Sequence, residues 1–154
     1  MVQNHLLQVL SLVAMEPPTA FSETDLRDEK LKILRALRPM TTDTVATDTV
    51  RGQYSAGESD GSPVPGYLED LGAEASATET FLAIRAEVRT ARWAGVPFYL
   101  RTGKRMAAKE TTVVIQFRPQ PWAIFADEPE PSRLILRIQP DEGVSLSLAS
   151  KDPD

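Results

Sequence analysis

Phe81-Leu82-Ala83-Ile84-Arg85-Ala86-Glu87-Val88-Arg89 is the stretch that decides the fold class. Leu82, Ile84, Ala86 and Val88 alternate with Ala83, Arg85, Glu87 and Arg89. Successive side chains of a strand point to opposite faces, so a period of two describes a strand with one buried and one polar face. The alternation returns downstream. Thr111 to Arg118 sets Val113, Ile115 and Phe117 on one side. Leu134, Leu136 and Ile138 alternate with Ile135, Arg137 and Gln139, and Val144, Leu146 and Leu148 with Ser145, Ser147 and Ala149. Val96 to Arg101 is a shorter apolar run. Gly95-Val96-Pro97, Arg118-Pro119-Gln120-Pro121 and Pro140-Asp141-Glu142-Gly143 punctuate the strands as turns.

Upstream the period changes. Val2 to Met15 carries Leu6, Leu7, Leu10, Val13 and Ala14 at helical spacing, and Pro17-Pro18 ends that helix because proline has no N–H to give. Ser22-Glu23-Thr24-Asp25 offers a capping oxygen and first-turn acids to a second helix. Leu26, Ile33, Leu34 and Leu37 share its apolar face, and Pro39 stops it. From Thr41 to Ala77 turn formers dominate. The one strand expected there is Thr49 to Tyr54, and Ser55 to Gly66 reads as an exposed loop. Two helices followed by strands on short connections predict an α+β fold, an antiparallel β-sheet with helices packed on one face.

Composition narrows the function. The 154 residues make about one domain, with 42% hydrophobic and 25% charged residues. A net charge of −5 argues against nucleic acid or an anionic membrane as partner. The apolar stretch Leu6 to Met15 has no basic leader and is too short to span a membrane. The chain has no cysteine, which excludes disulfides and thiolate metal sites and is compatible with a reducing compartment. With a single histidine besides, neither a Cys–His nucleophile nor a multi-histidine metal centre is possible, and no metal site is expected. There is no glycine-rich phosphate loop between a strand and a helix.

Two features bear chemistry. His5, beside Asn4 on an apolar helix, suits acid–base work near neutral pH, although a hydrogen-bonded core or surface histidine satisfies the same pattern. Lys104 and Lys109 follow a strand and the turn Thr102-Gly103, with Arg101 and Arg105 close by. Such a cluster can hold a phosphate through charge-assisted hydrogen bonds, or be a solvated basic turn.

Several segments carry a resemblance. Gln3-Asn4-His5-Leu6-Leu7-Gln8 with Ala14-Met15-Glu16-Pro17-Pro18 resembles the Q-N-H-L-L-Q … A-M-E-P segment of the glucose-6-phosphate dehydrogenase family. Arg27-Asp28-Glu29-Lys30-Leu31-Lys32-Ile33-Leu34 is similar to its next helix, and Val50-Arg51-Gly52-Gln53-Tyr54 to its V-x-G-Q-Y strand. Arg92-Trp93-Ala94-Gly95-Val96-Pro97-Phe98-Tyr99-Leu100-Arg101-Thr102-Gly103-Lys104 resembles R-W-x-G-V-P-F-x-L-R-x-G-K. Leu136-Arg137-Ile138-Gln139-Pro140-Asp141-Glu142 resembles I-R-x-Q-P-x-E. The segments run in the family's order along the whole chain.

The resemblance implies an oxidoreductase that converts D-glucose 6-phosphate to 6-phosphogluconolactone with reduction of NADP, the first step of the oxidative pentose phosphate pathway, in the cytoplasm. It implies that residues 1–154 are part of the family's C-terminal substrate and oligomerisation domain, and that the chain assembles as a dimer or tetramer through its sheet. By position, His5 matches the general base, Lys104 a lysine that touches the sugar, Lys109 a basic position at the phosphate, and Gln139 a substrate-side glutamine. Asn4 shapes the helix around His5. Some members bind a second, structural NADP on the sheet. Arg101 and Arg137 keep two of those positions, but Glu110 and Val114 stand where further basic residues belong, so no structural NADP is expected and the two arginines revert to sheet salt bridges or packing. The family's G-x-x-G nucleotide loop and H-Y-L-G-K segment belong to an N-terminal domain that these residues do not include. The expectation is that Met1 is internal and that the 154 residues alone are inactive. The competing expectation is an assembly module using the exposed face of Arg85, Glu87 and Arg89.

Overall fold

The computed structural model describes residues 2–59, 61–119 and 130–148. They fall into two compact units, Met1–Arg105 and Met106–Asp154.

In the first unit a π-helical turn, Val2–Leu6, runs straight into helix α1, Leu7–Ala14. Leu10, Ser11 and Ala14 are its buried residues. Met15 turns extended and Pro17-Pro18 follows, as the prolines require. Helix α2 spans Glu23–Ala36. The Ser22 hydroxyl accepts from the Asp25 N–H at 3.1 Å, the expected cap, and Ile33 is the residue it buries. Lys30 donates to the Gln8 side chain and ties α2 to α1.

The region read as turns and one strand holds more structure than that. Helix α3, Thr42–Asp48, precedes strand β1, Thr49–Gly52. Its start is a reciprocal pair of hydrogen bonds: Thr41 N–H to Thr44 Oγ1 at 2.8 Å and Thr44 N–H to Thr41 Oγ1 at 3.3 Å. The expected loop folds into a small hairpin, β2 (Gly57–Ser59) against β3 (Ser62–Val64), and a short helix α4, Tyr67–Leu71, comes after it. Gly66 sits between hairpin and helix where a Cβ would come within 2.8 Å of the Ala56 nitrogen, so only glycine permits this approach.

Strands β4 (Phe81–Glu87) and β5 (Pro97–Gly103) complete a three-stranded antiparallel sheet in the order β1-β4-β5. Ile84 lies between Thr49 and Leu100, and Phe81 opposite Gly103. Just beyond β4, Leu37 bridges Val88, with Arg38 N–H to Glu87 O at 2.9 Å and Arg89 N–H to Ala36 O at 2.8 Å. The end of α2 is thereby strapped to the sheet. The core is the meeting of these pieces: Leu10 and Ala14 of α1, Ile33 of α2 and the fully buried Val88, surrounded by Leu7, Met15, Ala36, Leu37, Trp93, Phe98 and Leu100. Helices against an antiparallel sheet are the expected α+β arrangement.

The second unit is an antiparallel sheet in the order β6-β7-β8: β6 is Thr111–Gln116, β7 Arg133–Gln139 and β8 Gly143–Ser147. A bulge lies between Thr111 and Thr112. The register sets Val113 and Val144 on either side of Leu136, and Ile115 and Leu146 on either side of Leu134, making one apolar face. At the edge strand that face is open: Val144 is 70% and Leu146 57% exposed. Among the described residues no helix is long and apolar enough to cross a membrane.

Candidate functional site

His5 lies in the π-helical turn Val2–Leu6 that runs into α1. A π-turn takes one residue more than the α-helical register, which shifts its side chains off the stripe that α1 buries, and such turns recur at functional sites. Asn4 and His5 are both exposed accordingly. The imidazole makes no hydrogen bond or ion pair among the described residues, so it is free to meet a ligand and is not the satisfied core histidine that composition allowed.

The π-turn lies against β5, the strand that leads to Lys104. Two anchors set the far end of α1. The Trp93 indole N–H donates to the Ala14 carbonyl at 2.8 Å, satisfying a helix-end acceptor, and its ring meets Phe98 edge-on at 5.1 Å. Arg92 grips Glu16 with both ends of its guanidinium, Nε to Oε1 at 2.6 Å and Nη2 to Oε2 at 2.5 Å. The Ala14-Met15-Glu16 and Arg92-Trp93 segments, far apart in sequence, are thus two halves of one fastening that holds the His5 helix to the turn before β5.

Lys104 leaves the end of β5, its N–H bonded to Thr80 O at 2.8 Å. Its side chain is exposed and has no carboxylate partner among the described residues. Arg105 differs from the expected phosphate cluster. Its Nη2 lies 2.7 Å from Asp70 Oδ2, its Nη1 donates to Pro65 O at 2.5 Å, and its guanidinium stacks 4.6 Å from the Tyr54 ring centroid. Its charge is already engaged, so it is no free anion ligand. The Tyr54 hydroxyl donates to the same Asp70 carboxylate at 2.8 Å. That hydrogen bond, then burial and the nearby carboxylate charge, hold the Tyr54 pKa above its ordinary value. The Gly52-Gln53-Tyr54 segment is architectural elsewhere too, since Gln53 Nε2 donates to Ser76 O at 2.9 Å and Thr78 O at 2.8 Å. The Tyr54–Asp70–Arg105 cluster escaped the sequence reading, because nothing local joins residues so distant.

Lys109 and Gln139 belong to the second unit, and His5 and Lys104 to the first. Lys109 is exposed and unpaired among the described residues. Gln139 is exposed at the end of β7, where the Gln139–Pro140 peptide is cis and the register pairs it with Thr111. Neither Arg101 nor Arg137 forms a salt bridge among the described residues. Arg137 instead bonds Ser145 Oγ at 3.0 Å and lies over Gly143. Glu110 and Val114 are exposed. Every strand pair described is antiparallel, so the parallel strand–helix–strand unit that places a dinucleotide pyrophosphate at a helix N-terminus does not occur among the described residues.

Comparison with known proteins meets this geometry along the whole chain. A 56% identical relative is the glucose-6-phosphate 1-dehydrogenase of Rhizobium meliloti (strain 1021), aligned over 99% of this chain and 32% of its own length. That of Gluconobacter oxydans (strain 621H) is also 56% identical, over 99% of this chain and 31% of its own. A solved glucose-6-phosphate dehydrogenase in complex with its substrate glucose-6-phosphate superposes with a TM-score of 0.85 at 40% identity, covering 100% of this chain and 31% of that one. The chain therefore spans about a third of the length of the curated relatives it matches. Residues 1–154 match the family described as glucose-6-phosphate dehydrogenase, C-terminal domain, and the chain belongs to that family.

Proposed function

We propose that this chain is the substrate-side part of a cytoplasmic glucose-6-phosphate dehydrogenase, which oxidises D-glucose 6-phosphate to 6-phosphogluconolactone. The observation that carries the reading is His5: an exposed, uncommitted imidazole at a π-helical turn, in a Gln3-Asn4-His5-Leu6-Leu7-Gln8 segment within a chain 56% identical to named relatives.

Neutral His5 accepts the proton of the C1 hydroxyl as the C1 carbonyl forms, a task for which an imidazole is well matched near neutral pH. Lys104 donates to the sugar. Lys109 supplies fixed positive charge for the phosphate, whose binding energy orients C1 against the base. Gln139 is the fourth substrate-side residue. Hydride acceptance is the chemistry of a nicotinamide cofactor, NADP, for which no residue of this chain is assigned. Homo-oligomerisation through sheet surfaces completes the proposal, supported by the open apolar face of Val144 and Leu146.

The test is a chimera in which this chain replaces the matching third of the Rhizobium meliloti relative, assayed for NADP reduction by glucose 6-phosphate. The 154 residues alone serve as reference and are expected to give no turnover. His5→Asn is expected to lower kcat by about a hundredfold to ten-thousandfold. Undiminished kcat in that variant would remove His5 from the reaction.

A further inference from the structure

Lys104 has a long, flexible side chain, and a lysine of this kind positions a substrate only as well as its backbone is held. The backbone here is held in an unusual way. Arg105, the next residue, has φ of 50°, in the left-handed region that a residue with a Cβ seldom adopts. Such a conformation persists where its surroundings over-determine it. The surroundings are the three anchors of the Arg105 guanidinium: the Asp70 carboxylate at 2.7 Å, the Pro65 carbonyl at 2.5 Å and the Tyr54 ring at 4.6 Å. Asp70 is itself held by the Tyr54 hydroxyl at 2.8 Å, and Tyr67 meets the Tyr54 ring edge-on at 5.6 Å.

The other side of the turn is pinned through Thr80. Its carbonyl accepts from Lys104 N–H, its N–H donates to Gly52 O at 2.9 Å, and its hydroxyl accepts from Tyr54 N–H at 2.9 Å. Tyr54 thus reaches both flanks of Lys104, by its backbone through Thr80 and by its side chain through Arg105. The Arg105 cation is engaged, whereas Lys104 beside it is exposed and unpaired among the described residues.

We propose that Tyr54, Asp70 and Arg105 are positioning residues that fix the Lys104 turn for a phosphorylated sugar. The proposal rests on the reading of Lys104 as a substrate lysine. Arg105 acts through Lys104, because its own guanidinium is spent on Asp70 and Pro65. A displacement of about 1 Å in a positioned group can lose about a hundredfold in rate, so a loosened turn has a measurable effect.

The experiment is steady-state kinetics on the full-length chimera. Lys104→Ala is expected to raise KM for glucose 6-phosphate by roughly ten- to a hundredfold, the range for a lost hydrogen bond to a charged group. Arg105→Ala and Asp70→Asn are each expected to raise it by roughly five- to twentyfold, with KM for NADP unchanged. Arg105→Lys keeps the charge but not the forked geometry, so it gives a smaller rise, and with Asp70→Asn it carries the test should Arg105→Ala be insoluble. In Lys104→Ala/Arg105→Ala, or Lys104→Ala/Asp70→Asn, KM is expected to match Lys104→Ala alone, since a positioning residue has nothing left to position.

If Lys104→Ala leaves KM unchanged, the substrate reading of Lys104 fails and the proposal falls with it. If Lys104→Ala raises KM while Asp70→Asn and the Arg105 variants do not, that reading stands and the positioning proposal is overturned. Effects that multiply in the double variants overturn it as well, because they place Arg105 or Asp70 on an independent path.

Discussion

At the residue scale, Tyr54 offers a measurement that needs no turnover. Its pKa is raised above the ordinary 10.0, first by the hydrogen bond its hydroxyl gives to Asp70, then by burial and the Asp70 charge, with Arg105 opposing. A raised folded-state pKa means that the neutral phenol is favoured by folding. Its stabilising contribution is complete below about pH 10 and is lost as pH rises through the folded value. The stability gap between the unaltered chain and Tyr54→Phe, measured by urea unfolding, is therefore expected to narrow above pH 10. A gap that stays flat through the alkaline range would mean that Tyr54 does not hold the Asp70 hydrogen bond in solution. The residues of the candidate site differ in how plainly they can be read from sequence. His5, Lys104, Lys109 and Gln139 are ordinary residues by spacing and composition, and only the motifs around them single them out. Arg105 reads as one more cation of a basic turn. Its engagement with Asp70, 35 positions away, is a tertiary fact that no local pattern encodes.

At the element scale, the fastening of α1 separates two kinds of bond. The Trp93–Ala14 bond satisfies a helix-end carbonyl in a half-buried setting. The Arg92–Glu16 pair is ideal in geometry but both side chains are more than half exposed, 57% and 54%, and solvent screens it. Trp93→Phe keeps the ring against Phe98 but orphans the carbonyl, at about 1–3 kcal/mol. Arg92→Ala loses about 1 kcal/mol or less. Thermal unfolding is expected to rank Trp93→Phe below Arg92→Ala in Tm, and the reverse order would show that the ion pair carries the fastening. Legibility differs among elements for physical reasons. The alternation at Phe81–Glu87 and the Ser22 cap of α2 act locally, so the pattern and the structure agree. Helix α3 is built on threonines, poor helix formers, and starts on a Thr41–Thr44 pair in place of the usual acid or amide partner. Strand β8 alternates as a half-buried strand should, yet its apolar side is the open one. Periodicity says which residues share a face and not whether that face is covered.

At the scale of the whole molecule, the open face is the feature with an expected readout. Val144 and Leu146 are 70% and 57% exposed on the edge strand of the second unit, and Leu148, just past its end, is 67% exposed. A contiguous apolar patch of this kind on an uncovered strand edge is costly in water and favours association. Leu146→Asp in the full-length chimera is expected to shift light-scattering mass towards smaller species at a given concentration, because a charge buried in an apolar contact is strongly unfavourable. An unchanged mass would place assembly elsewhere, and the salt-bridged face of Arg85, Glu87 and Arg89 would be the next surface to alter.

The fastening of Glu16 by Arg92 spans 76 residues, and so sets a timetable for the newborn chain. A ribosome adds about 5–20 residues per second, so the α1 end waits roughly 4–15 s for Arg92 and Trp93 to be made. For most of that interval Leu10 and Ala14, later buried, lack β4, and β5 is made only after Arg92. The helix that bears His5 is thus secured only by residues made well after it, and its apolar face in that interval is what a chaperone would meet.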